Sequence, residues 1–109
     1  MSWCEIEHQP HGPVDHQDFC LAVQFRVHEL DPQIVLDRVT QFTTAIPWPC
    51  RAWDAETRTW WVHPDVREVV IRFATTFPQA WLVEGDVITD LHSGAHAVKG
   101  SGRTRSVVV

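Results

Sequence analysis

Four residues near the N-terminus have side chains that ligate metals, at an orderly spacing. Cys4, His8, His16 and Cys20 follow a C-x3-H-x7-H-x3-C pattern, with His11 between them. Thiolate and neutral imidazole are the natural ligands of tetrahedral zinc, and four of them close a structural site. Such a site could pin a stretch that is otherwise poor in apolar residues. The spacing is wider than the C-x2-C of common zinc knuckles. A small cysteine at the start of a strand also needs no metal to account for it.

A second group lies at "RAWDAETRTWWV", Arg51 to Val62, where Trp53, Trp60 and Trp61 share a stretch with four charged residues. If Asp54 pairs with Thr59 across an "AETR" loop, Trp53 lies opposite Trp60 and both point to one face. Trp61 then points to the other face, because strand side chains alternate. The Trp53–Trp60 pair reads as a clamp holding the hairpin to its own domain. Trp61 reads as the indole available to a ligand or partner. Unpaired bases stack on such aromatics at about 1–3 kcal/mol each, without sequence preference. Arg26 and His28 on the outward face of a preceding strand could complete a platform, with Arg51 and Arg58 holding phosphates.

Catalytic signatures are missing from the chain. It has no G-x-S-x-G, no P-loop, no G-x-G-x-x-G and no H-E-x-x-H. Cys50 has no evident histidine partner, and Asp86 and Asp90 near His92 read as surface carboxylates. The expectation is a protein that is not an enzyme.

The elements that must hold these residues follow from periodicity. Residues 1–18 are polar and rich in His and Pro, and read as an irregular acidic arm. "FCLAVQFRVH" alternates apolar and polar residues and reads as a half-buried strand over Phe19–His28. Asp31 is a good N-cap and Pro32 suits the first helical turn. Val35, Val39, Phe42 and Ile46 then form an apolar stripe, and "PWPC" stops the helix. The tryptophan hairpin follows. Asp65 with Glu68 resembles a capping box for a second helix, whose apolar face is Val66, Val69, Val70, Phe73 and Phe77. Ala80–Gly85 reads as a final core strand and "DVITDL" as a short extra strand or turn. Residues 93–109 read as a flexible basic tail, leaving residues 19–92 as a single domain. The order strand, helix, strand, strand, helix, strand predicts an α+β, ferredoxin-like sandwich: a four-stranded antiparallel sheet with two helices on one face.

The hairpin resembles a known family. Arg51, Trp53, Asp54, Glu56, Thr57, Arg58 and Trp60 stand at the places of the pattern carried by HARP-type modules (HepA-related protein domains), with Ala55 where a proline is usual. The resemblance covers roughly Leu30 to Phe77. It implies an accessory role beside enzymes that act on DNA, contact with single-stranded or forked DNA, and a gene carried by a phage or mobile element.

Composition sets the outer bounds. The 109 residues suit one domain, with 44% hydrophobic and 21% charged residues. The net charge of −5 argues against gripping duplex DNA by phosphate neutralisation alone. An acidic body would also suit a protein partner, with an exposed aromatic as its anchor. No apolar run approaches the ~18 residues of a membrane helix. No signal peptide is evident, and three cysteines form no disulfide framework, so a cytoplasmic setting is expected.

Overall fold

The computed structural model describes residues 2–27 and 31–98. His28 lies outside them, as do residues 99–109, so the expectations placed on that histidine and on most of the tail cannot be located.

The ferredoxin-like expectation is wrong. The described residues build one seven-stranded mixed sheet in the order β3-β4-β2-β1-β5-β6-β7, with two α-helices. The overturning element is β1, Trp3–His8, within the stretch read as an irregular arm. Its sequence WCEIEH alternates, with Cys4 and Ile6 fully buried between Trp3, Glu5 and Glu7. β1 lies between β2 (Leu21–Arg26), to which it is antiparallel, and β5 (Gln79–Glu84), to which it is parallel. That central position separates strands that a ferredoxin-like sheet would place side by side. At the far side β5 continues into β6 (Val87–Asp90) and β7 (His96–Val98), extending the sheet into the region read as tail.

The first helix, α1, runs Pro32–Ala45, and Asp31 caps it by accepting a 2.9 Å bond from the Gln33 N–H. Its predicted stripe is buried only in the second half. Phe42 and Ile46 are sealed, but Val35 is exposed, along with Ile34 and Leu36. The second helix, α2, spans only Arg67–Ala74 and packs on β1, so the fourteen-residue α1 outruns its partner. Arg38 ties the two together: its guanidinium donates to the Thr76 hydroxyl at 2.7 Å and lies 4.2 Å from the Phe77 ring centroid. The expected Asp65 cap is not formed. A 3-10 turn, Pro64–Val66, precedes α2, and the His63 Nδ1 accepts the Asp65 N–H at 3.0 Å.

The core is aromatic. Phe25, Phe42, Phe73 and Phe77 meet with ring centroids 5.2–5.7 Å apart, most of them tilted or edge-on. Such geometries suit the ring quadrupole. Leu21, Val23, Val62, Val70 and Leu82 complete the layer between sheet and helices.

Candidate functional site

The hairpin of β3 (Arg51–Asp54) and β4 (Thr59–Val62) pairs in the expected register: Trp53 opposite Trp60, Asp54 opposite Thr59. Asp54 starts the loop by accepting the Glu56 N–H, and Arg58 takes a left-handed φ of 53°. The buried Thr59 hydroxyl donates to the Thr57 carbonyl and accepts from Gln24 Nε2 at 2.9 Å, which ties the loop to β2.

Which face is buried is settled by Phe42. Its ring lies 5.0 Å from Trp60, so the Trp53–Trp60 pair is on the helix side. Trp60 thus packs the hairpin against the first helix through Phe42. Trp53, 4.9 Å from Trp60, is still 50% exposed. Trp61 points to the opposite, helix-free face, between Ala22 and Ala52. It is only half-buried overall, yet its indole N–H is sealed and has no partner among the described residues. The more open indole is thus Trp53, not Trp61.

The proposed base-stacking platform is not assembled. Arg26 shares the helix-free face with Trp61, but Trp61 lies opposite Ala22, four residues along β2. That is ~13 Å at strand rise. Glu5 and Glu7 of β1 are next to Gln24 and Ala22 in the middle of the same face, which disfavours a phosphate backbone there. Arg51 lies on the other side. Its guanidinium donates to the Ile46 carbonyl at 2.5 Å and sits 5.9 Å from the Trp60 ring centroid. Arg58 is exposed in the loop.

The predicted zinc ligands do not converge either. Cys4 is fully buried in the core, where desolvation, with a smaller contribution from the Glu5 charge, pushes its thiol up to about 12. His16 stacks on Phe19 at 4.7 Å. Only His8 and Cys20 stand near each other, with Nε2 and Sγ 4.0 Å apart. The described residues contain no group of three or more His, Cys, Asp or Glu placed to share a metal.

What the fold does assemble is an aromatic cleft at the free edge of the sheet. It encloses about 610 Å³ beside β3 and is lined by Trp48, Trp53, Trp60 and Phe19, with His16, Arg51, Ala52 and Pro49. Trp48 was not singled out by sequence. It sits in a 3-10 turn, Trp48–Cys50, between Pro47 and Pro49, and is 77% exposed. A tryptophan flanked by two prolines is kept out of helix interiors and central strands, and that is the available signal. An adjoining cleft on the helix-free side is lined by Asp15, His16, Trp53, Asp54, Glu56 and Trp61, among others.

The edge itself has hydrogen-bonding capacity. His63 N–H donates to the Cys50 carbonyl at 2.9 Å, so that pair is a hydrogen-bonded one. Alternation then directs the main chain of Ala52 and Asp54 toward β4, and the N–H and C=O of Trp53 and the C=O of Arg51 outward, while the Arg51 N–H is taken by the Trp48 carbonyl at the end of the 3-10 turn. Among the described residues no strand lies on that side of β3. The β1–β2 loop forms one wall of the cleft. Gly12 is packed so tightly there that a Cβ would lie 2.3 Å from the carbonyl oxygens of His16 and Phe19.

Comparison with family profiles, with curated proteins and with solved structures finds no match for this chain. No helix among the described residues is long and apolar enough to cross a membrane.

Proposed function

We propose that this chain is a non-enzymatic interaction module that captures an extended, basic peptide segment of a protein partner along β3. The observation that carries the reading is the pairing of a free strand edge with two exposed indoles. The outward N–H and C=O of Trp53 and the C=O of Arg51 offer ladder bonds, and Trp48 and Trp53 offer an apolar wall beside them. Strand addition works in this way: backbone bonds supply affinity and pockets for alternate side chains supply specificity. Basic character follows from charge. Asp15, Asp54 and Glu56 line the adjoining cleft, and the chain carries a net −5. Opposite charge raises association rates and selects among partners.

A second reading keeps the nucleic-acid role but moves it. Trp48 and Trp53, with Arg58 in the same hairpin, could stack unpaired bases. Fluorescence anisotropy at low salt separates the two. The peptide reading expects saturable binding of extended Arg-rich, β-branched peptides and none of single-stranded or forked DNA. Binding of oligonucleotides alone would replace it with the second reading.

A further inference from the structure

The sheet has two edges. β3 carries the aromatic cleft, and the chain leaves the described residues directly after β7, at the opposite edge. Segment 99–109, KGSGRTRSVVV, has Lys99, Arg103 and Arg105, no acidic residue, and β-branched Val107–Val109. That is the chemistry proposed above for the occupant of the β3 edge. On an extended chain Arg103, Arg105, Val107 and Val109 fall on one side, and Thr104, Ser106 and Val108 on the other. The side with the arginines suits the acidic flank of β3. Asp54 is on the helix-free flank, with Asp15 and Glu56 lining the cleft there, and Trp53 is on the helix flank.

Resting on the peptide-capture reading, we infer that the β3 edge of one copy receives the Arg103–Val109 segment of a second copy. Reach decides between the chain's own segment and its neighbour's. Six strand-to-strand steps separate β7 from β3, or about 29 Å at ~4.8 Å each. Residues 99–103 extend at most about 17 Å at ~3.5 Å per residue. Measured across the sheet, Arg103 of one copy falls short of its own β3, whereas a second copy has no such limit. Mutual exchange closes as a dimer, whereas one-way donation propagates. Because its selectivity rests on exposed charges, the association weakens with salt.

Sedimentation velocity of the full chain at low salt, from micromolar to high-micromolar concentrations, tests this. The expected result is concentration-dependent association. The Arg103→Glu/Arg105→Glu double variant, altered only outside the described residues, should lose it by about tenfold or more. A synthetic peptide of residues 99–109 should bind that double variant and quench its exposed indoles, and should bind less well when Trp48→Ala is added. A full chain that stays monomeric throughout, or a double variant that associates as well as the parent, overturns the inference. If the double variant nevertheless binds unrelated basic, β-branched peptides at β3, only the self-capture fails. If no extended peptide binds, the peptide-capture reading fails with it.

Discussion

Trp48 gives the sharpest separation of binding from stability. The residue is 77% exposed, so about a quarter of its side chain touches the fold. A tryptophan offers up to about 250 Å², which leaves ~60 Å² covered and ~190 Å² open. At ~25 cal/mol per Å² the covered part is worth at most ~1.5 kcal/mol, and nearer ~1 kcal/mol once compaction of the unfolded chain is counted. Trp48→Ala should therefore lower Tm by only about 4 °C. A peptide lying along β3 that covers half of the open area gains ~2.4 kcal/mol from this ring, so the same substitution should weaken binding about fiftyfold. Calorimetric melting and anisotropy titration on one preparation read both quantities. A folded Trp48→Ala protein whose peptide Kd stays within about threefold of the parent would refute the reasoning.

Other substitutions probe the frame that holds the cleft. Phe42→Ala removes the ring at which Phe25, Phe73 and Trp60 meet, and denaturant titration should show a loss of about 3–5 kcal/mol. Gly12→Ala forces a Cβ against two backbone carbonyls. It should cost about 1–3 kcal/mol and weaken peptide binding as well, because His16 and Phe19 line the cleft. Cys4 should resist a thiol reagent that labels Cys20 and Cys50, until the chain unfolds. Burial raises its thiol from 9.0 to about 12, so the unfolded chain ionises first. The contribution of this group to stability is complete below pH 9.0 and falls as pH rises toward 12, by at most ~1.4 kcal/mol per pH unit. Cys4→Ala should flatten that alkaline slope in urea titrations. The background is simple, since the chain has no tyrosine.

Local features were largely legible. The hairpin register follows from loop length and cross-strand pairing, and Asp31–Pro32 marks the start of α1 through cap chemistry. The global fold was not, and β1 is the reason. WCEIEH shows period-two alternation, but it runs straight into a His- and Pro-rich loop with no periodicity. Read together, the two lose the strand. Missing that strand left β2 beside β5, where β1 in fact lies between them. Which hairpin face is buried depends on Phe42 meeting Trp60, a contact between residues eighteen positions apart in sequence that no local pattern encodes. The spacing of Cys4, His8, His16 and Cys20 reads differently on the fold for a related reason: Cys4 falls on the inward side of β1, in the core, while His16 lies in the β1–β2 loop. Trp48 was passed over because "PWPC" reads first as a helix stop, and what a stop projects into solvent is decided by the turn that follows.

Residue-resolved amide hydrogen exchange on β3, with and without a saturating basic, β-branched peptide, tests strand addition most directly. The free chain should exchange Trp53 quickly and protect Ala52, whose bond goes to β4, and Arg51, whose N–H is held by the Trp48 carbonyl. Bound peptide should newly protect the Trp53 amide. If the peptide binds and quenches Trp48 while the Trp53 amide exchanges as fast as before, the edge is not used and the account is contradicted.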